Sequence, residues 1–256
     1  MTYELAGSVG GSETSQQTIV FLGSLGSDRS MWQPQMADLG SDHRVIALDV
    51  RGHGESPAPA GPYTVPDLAD DVLTTLVALG AGTVHLVGLS LGGAIAQQIA
   101  VAAPERVSTM TLLCTSARFG DPQPWLDRAA TVRSSGTSAI ADAVVDRWFT
   151  LGLADEDRDL VDRAREMVKN TDDEGYASCC EALAQWDSRP HLPSVTTPTL
   201  AIAGAQDPAT PPEHLQDIAA LVPGASIKIL DPGAHLVNLE QATVVSSLIR
   251  EHVATR

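Results

Sequence analysis

Basic residues are scarce in this sequence. Lys and Arg together number 16 against 32 Asp and Glu, which leaves a formal net charge of -16. So acidic a chain repels polyanions, so no nucleic-acid or anionic-membrane partner is expected. Its surface is expected to be solvated and self-repelling. Cysteine is almost absent: Cys114, Cys179 and Cys180 are the whole complement, and their spacing matches no metal-ligand pattern. An odd count with one adjacent pair reads as reduced thiols rather than a strained vicinal disulfide, which fits a cytoplasmic location. Long hydrophobic runs are missing too, so no segment is expected to span a bilayer. Met1–Gln17 lacks the basic start and apolar centre of a secretory signal. There is no internal repeat, low-complexity tract or long linker, and neither a metal nor a cofactor is expected.

What is there suits one large domain. The chain has 256 residues, 43% of them hydrophobic, enough to fill a sizeable core. Buried strands alternate with helices, which predicts an α/β fold with a mostly parallel central sheet covered on both faces. Strands are predicted at Thr18–Leu22, His43–Val50, Thr83–Gly88, Ser108–Thr115, Pro198–Ala203 and Ala225–Leu230. Ser27 or Asp28 is placed to cap a short helix through Met36. Further helices are predicted at Val65–Leu79, with Pro66 in its first turn and Gly80 at its end, then at Leu91–Ala103, Pro212–Leu221 and Gln241–Val253. Residues 117–191 carry helix-like segments and no strand signal. They read as a helical cap inserted into a core made of residues 1–116 and 192–256.

The most informative segment is Gly88-Leu89-Ser90-Leu91-Gly92. A strand leads into it and a helix leaves it, so Ser90 stands at the apex of a sharp turn, the geometry of a nucleophile elbow. Its glycines avoid a collision that any Cβ would cause. Ser90 itself must accept a strained backbone, which folds tolerate chiefly where function requires it. The Leu91 N–H, at the start of the helix, is free to meet a developing oxyanion.

A serine hydroxyl needs a base. His235, in Asp231-Pro232-Gly233-Ala234-His235, follows the last strand at the same sheet edge as Ser90. His53, in Arg51-Gly52-His53-Gly54, is the rival, although its setting reads as a turn-holding residue. His43, His85, His191, His214 and His252 read as packed or solvated. Asp207, after the strand at Pro198–Ala203, is placed to orient the imidazole. Asp231 is the alternative acid, and Asp49 is expected to brace Arg51 and the neighbouring turn. The second oxyanion donor is expected from Gly23-Ser24-Leu25-Gly26, as the Leu25 N–H.

The order Ser90, Asp207, His235 is that of α/β-hydrolases, which the chain resembles over nearly its whole length. More narrowly it resembles the 3-oxoadipate enol-lactonases of the β-ketoadipate pathway. The likeness is carried by Gly23-Ser24-Leu25-Gly26-Ser27 with Met31-Trp32, Asp49-Val50-Arg51-Gly52-His53-Gly54-Glu55-Ser56, Gly61-Pro62-Tyr63-Thr64-Val65 and Gly88-Leu89-Ser90-Leu91-Gly92-Gly93. The chain departs from most hydrolases of the fold in lacking a His-Gly pair at Ser24-Leu25-Gly26, and Gly23 stands where these lactonases often carry asparagine. The resemblance implies that Ser90 attacks the carbonyl of an enol-lactone in aromatic catabolism. The tetrahedral oxyanion then sits between the N–H groups of Leu25 and Leu91, the ring opens to an acyl-enzyme, and 3-oxoadipate is released. It also implies a decarboxylase as a fused or associated partner.

Such a substrate is a small anionic lactone, so a local cation must overcome the protein's own field. Arg118, Arg128, Arg133 and Arg147 are the candidates in the cap. Arg133 is expected to bind the carboxylate, then Arg128, with Trp125 and Trp148 lining the site. Trp125 and Arg128 are three apart and share a helix face. Other readings stay open: a general carboxylesterase, a carbon–carbon bond hydrolase or a cofactor-free perhydrolase of the same fold, or a non-catalytic small-molecule receptor. A haloalkane dehalogenase is excluded, because it needs a carboxylate where Ser90 stands.

Overall fold

A computed structural model describes residues 1–12, 15 and 17–256. The Met1–Gln17 stretch read above therefore lies partly outside the described residues. In chain order the elements are β1 (Gly7–Gly11), β2 (Thr18–Leu22), α1 (Gln33–Leu39), β3 (Arg44–Leu48), α2 (Val65–Ala78), β4 (Val84–Leu89), α3 (Leu91–Ala102) and β5 (Val107–Leu113). Then come α4 (Pro122–Ser135), α5 (Ala141–Val145), α6 (Leu151–Glu156), α7 (Arg158–Lys169), α8 (Asp173–Gln185), β6 (Thr199–Gly204), α9 (Pro212–Leu221), β7 (Ser226–Leu230), α10 (Val237–Glu240) and α11 (Ala242–Val253). Among the described residues, no helix is long and apolar enough to cross a membrane.

The seven strands lie in the order β1-β3-β2-β4-β5-β6-β7. Six are parallel, and β1 alone runs antiparallel, against β3. The inner strands are apolar on both faces because helices cover both. Along β2, Val20 and Leu22 enter one core while Ile19 and Phe21 enter the other, the two-residue alternation of a strand. The first core takes Leu68, Val72 and Leu76 of α2, Ile95 and Ile99 of α3, and Leu215 and Ile218 of α9. The second takes Leu39 of α1 and Val245, Ile249 and Val253 of α11. Helix α2 starts where the sequence indicates: Thr64 and Asp67 form a reciprocal capping box with Pro66 in the first turn.

Strand β1 escapes sequence reading. Gly7-Ser8-Val9-Gly10-Gly11 is glycine-rich and largely exposed, so it carries no hydrophobic period, and its pairing comes from β3. Between β5 and β6, every regular element among the described residues is helical. Two contacts among the described residues fasten opposite ends of this helical segment to the strand-bearing part. A Cβ on Gly52 would lie 2.4 Å from the Cα of Gly175, so α8 touches the turn after β3 backbone to backbone. At the other end, Leu236 N–H donates to the Trp148 carbonyl at 2.9 Å, and Thr150 hydrogen-bonds Glu240.

His85, near the amino end of β4, has a stability consequence. Burial, with His43 and His252 close by, pulls its imidazole down to about 4. A group depressed on folding contributes fully above its unfolded value and loses that contribution as the pH falls towards the folded one. Stability is therefore expected to drop by about 2 kcal/mol between pH 7 and pH 5 from this group alone. Urea unfolding at the two pH values checks this, and His85→Asn should flatten the difference.

Candidate active site

Strand β4 delivers Ser90 to the carboxyl edge of the sheet at φ 56° and ψ -112°, a left-handed strain that non-glycine residues rarely hold. Neighbours enforce it. Ser90 N–H donates to the Leu113 carbonyl at 3.0 Å, and Thr115 Oγ1 donates to the Ser90 carbonyl at 2.7 Å. Glycine is required around it: a Cβ at Gly88 would meet Gly92 O at 2.3 Å, and one at Gly92 would meet Leu22 O at 2.2 Å. The helix α3 that follows begins with the Leu91 N–H.

Asp207 and His235 reach the same edge from the loops after β6 and β7. His235 Nδ1 lies 2.8 Å from Asp207 Oδ2, with both side chains buried. Ala209 and Thr210 N–H groups donate to Asp207 Oδ1 at 2.8 and 3.1 Å, and Thr210 Oγ1 donates to Oδ2 at 2.7 Å. Burial alone would raise the Asp207 carboxyl, but the His235 charge and these hydrogen bonds outweigh it and hold it below its ordinary value. Asp207 therefore stays ionised, and Nδ1 carries the proton it donates to it. This leaves Nε2 free for a proton from elsewhere. Ser90 and His235 line one cavity of about 120 Å³. No hydrogen bond joins them directly; such contacts are often loose without substrate and tighten on binding. Asp231, the alternative acid, is exposed and accepts from Gln206.

Ser24 and Leu25 line the cavity across from Ser90. The Ser24 carbonyl accepts from Ser27 N–H at 3.1 Å and from Ser27 Oγ at 2.8 Å. A trans peptide sets its N–H antiparallel to its carbonyl, so the Leu25 N–H of that peptide points away from Ser27. Among the described residues neither Leu25 N–H nor Leu91 N–H donates to a protein acceptor. The Gly23 carbonyl takes the Gly92 N–H at 2.9 Å, which ties this loop to the elbow.

The helical segment forms the far wall with Phe119, Trp125, Arg128, Arg147, Trp148 and Tyr176. Trp125 is fixed by its Nε1–H to the Phe119 carbonyl at 2.8 Å and by edge-on contact with the Phe119 ring. Arg128 lies over the Trp125 ring, 4.8 Å from its centroid. Arg147 donates to the Ala143 carbonyl, and burial followed by repulsion from Arg128 lowers its guanidinium below the ordinary value. Neither arginine pairs with a carboxylate among the described residues. The Tyr176 hydroxyl is buried without a hydrogen-bond partner, and burial raises it, so it stays protonated.

Two expectations need correction. Arg133 does not line the cavity. It is exposed on α4 and grips Glu174 and Glu181 of α8, with Nε 2.8 Å from Glu174 Oε2. Asp49 braces the turn but not Arg51: it binds Arg29 and the Glu55 N–H. Arg51 instead chelates Asp71 at 2.6 and 2.8 Å and lies between the rings of Tyr3 and Tyr63. Sequence reasoning missed Tyr176, which sits in the first turn of α8 with no local signal. It also missed Thr210, although Asp207-Pro208-Ala209-Thr210 is a turn in which a carboxylate commonly caps the following N–H groups. The three cysteines are free and buried. Among the described residues no cluster of histidine, cysteine and carboxylate groups could hold a metal ion.

The arrangement brings together a strained hydroxyl, an imidazole–carboxylate pair, two backbone donors without a protein acceptor among the described residues, and two guanidinium groups without a carboxylate partner. It is suited to acyl transfer on an anionic ester. Comparison with known proteins places the chain among hydrolases of this fold. The family model for the alpha/beta hydrolase fold matches residues 17–242. The chain is 37% identical to 3-oxoadipate enol-lactonase 2 of Acinetobacter baylyi over 229 residues, covering 90% of this chain and 85% of that one. The solved enol-lactonase of Burkholderia xenovorans LB400 superposes with a TM-score of 0.95 at 37% identity, covering 98% of this chain and 96% of that one. A thermophilic esterase from Thermogutta terrifontis, solved with malate bound, superposes with a TM-score of 0.92 at 30% identity, covering 98% and 93%.

Proposed function

The chain belongs to the alpha/beta hydrolase family, and from that premise we propose that it is a serine hydrolase that opens 3-oxoadipate enol-lactone to 3-oxoadipate. One observation carries the choice of an anionic substrate. In a chain of net charge -16, two half-buried arginines without carboxylate partners face the cavity that contains Ser90. Holding like charges together in a partly dry wall is costly unless an anion joins them.

In this reading Ser90 Oγ attacks the ring carbonyl as His235 Nε2 takes its proton. The Leu25 and Leu91 N–H groups hold the oxyanion, and Asp207 stabilises the imidazolium. The ring C–O bond breaks, and the proton held by His235 then passes to the departing enolate, which stays tethered through the new acyl ester and becomes a ketone while the imidazole returns to its neutral form. His235 Nε2 then deprotonates the water that attacks the acyl ester, and passes that proton to Ser90 Oγ as the acyl–oxygen bond breaks and the dicarboxylate leaves. An enol leaves far more readily than an amine, so little leaving-group protonation is needed. Arg128 and Arg147 hold the substrate carboxylate, and Trp125 and Trp148 bound the ring.

Ring opening of freshly generated 3-oxoadipate enol-lactone, beside the neutral ester p-nitrophenyl acetate, tests the assignment. Arg128→Met and Arg147→Met should each raise KM for the lactone by about 10- to 100-fold, the worth of one charge-assisted contact. They should leave the neutral ester nearly unaffected. Equal losses on both esters would remove the carboxylate role. Its similarity to the Thermogutta esterase favours one second reading, a general carboxylesterase. That reading wins if the wild type prefers the neutral ester.

A further inference from the structure

We propose that His53 is a positioning residue for the oxyanion loop: by accepting the Gly26 N–H it fixes the backbone that aims the Leu25 N–H at the reacting carbonyl. The proposal rests on the acyl-transfer reading of the cavity, not on which ester is cleaved.

The loop Gly23–Ser27 has few means of holding its shape. Its first peptide is tied to Gly92 and its second to Ser27, as described above. The third, between Leu25 and Gly26, has one anchor, the Gly26 N–H to His53 Nε2 at 2.9 Å. Gly26 has a φ of +82°, and a Cβ there would come within 3.0 Å of Tyr176 Cε2. Side-chain packing therefore cannot replace that hydrogen bond. With the bond removed, the turn that Ser27 closes on the Ser24 carbonyl loses its tie to the Arg51–Gly54 turn, so the turn and the Leu25 N–H it carries can shift relative to Ser90.

The imidazole is suited to the task in one protonation state. His53 is 1% exposed. Its Nδ1 lies 3.1 Å from the Arg51 carbonyl, which can accept only, so Nδ1 carries the proton and Nε2 is left as the acceptor that Gly26 requires. The Arg51 carbonyl belongs to the turn pinned against α8 at Gly52 and Gly175. His53 therefore transmits the position of a rigid turn to the oxyanion loop. Burial lowers the imidazole below its ordinary value, outweighing the Arg51 carbonyl and the charges of Asp49, Asp28 and Asp172, and keeps the ring neutral. The role differs from that of a general base, since both ring nitrogens are occupied by backbone.

An oxyanion donor acts in the transition state and hardly in the ground state, so misaiming it should appear in kcat. His53→Ala should lower kcat about 10²-fold with KM within about threefold. Affinity for phenylboronic acid, which becomes a tetrahedral anion on Ser90, should fall by a similar factor. His53→Gln, whose Oε1 can accept the Gly26 N–H, should recover at least tenfold of the lost kcat. Thermal melts establish that both variants are folded. Should either unfold, ¹⁵N spectra of the wild type decide: the Nδ1–H tautomer at His53 supports the proposal and the Nε2–H tautomer overturns it. A rise in KM at unchanged kcat, unchanged boronate affinity, or a glutamine variant no better than alanine also overturns it. The ratios are measured on p-nitrophenyl acetate as well as the enol-lactone. If the lactone is not a substrate, the neutral ester still tests His53. If the wild type cleaves neither, the acyl-transfer reading fails and the proposal with it.

Discussion

Ser90→Ala should reduce kcat for lactone opening by about 10⁶-fold, the loss expected when the nucleophile of a cooperating set is deleted. It should do so without unfolding the protein. The strain at Ser90 is imposed by its surroundings, through the Leu113 carbonyl, Thr115 Oγ1 and the crowding of Gly88 and Gly92. Alanine meets the same backbone penalty with a smaller side chain, so the melting temperature should hardly move. The residual rate should still exceed that in water, because the two backbone donors and the arginines remain. Kinetics are read by loss of the lactone. A fluorophosphonate should label the wild type and leave the variant untouched. A variant that keeps its rate to within about tenfold would remove Ser90 from the chemistry.

Asp207→Asn should cost about 10⁴-fold in kcat, and the structure explains the route. The Ala209 and Thr210 N–H groups both point at Oδ1. They fix the amide oxygen of an asparagine at that position, which puts its NH₂ where Oδ2 now meets His235 Nδ1. Nδ1 must then accept, so the ring proton moves to Nε2, and the nitrogen that should take the Ser90 proton already holds one. Thr210 Oγ1 can turn to accept from the new amide, so the hydrogen-bond network survives in reverse and the fold is kept. The variant should bind a dicarboxylate product as the wild type does, because the arginine wall is untouched. Normal turnover in Asp207→Asn, with the protein folded, would mean that another acid orients His235.

These particulars also show what a sequence can reveal. Ser90, Asp207 and His235 could be placed on one rim because each follows a strand in a parallel sheet, where direction alone says which edge a loop occupies. The Leu25 loop could be placed for the same reason. The helical wall offers no such rule. Arg128 and Arg133 lie on one helix, α4, and either could have turned inward. What decides is α8, about 40 residues later, where Glu174 and Glu181 capture Arg133 at the surface. The Asp71–Arg51 pairing spans 20 residues and depends on how α2 lies against the turn. Strand β1 was invisible because glycine and serine have no period, so its partner strand defines it. Tyr176 was missed because an aromatic residue in a buried helix looks the same whether its hydroxyl meets protein or empty space.

The double fastening of the helical segment has one more consequence. With α8 seated on Gly52 and the Trp148–Thr150 stretch laced to the loop after His235, the segment is built as a fixed roof rather than a swinging door. The width of the cavity is then set by side chains that are themselves held, above all Trp125 on the Phe119 carbonyl and the arginine stacked on it. On the proposed enol-lactone, a bulky ring substituent should therefore meet a threshold of set width and be turned away, where a hinged lid would yield and close over it.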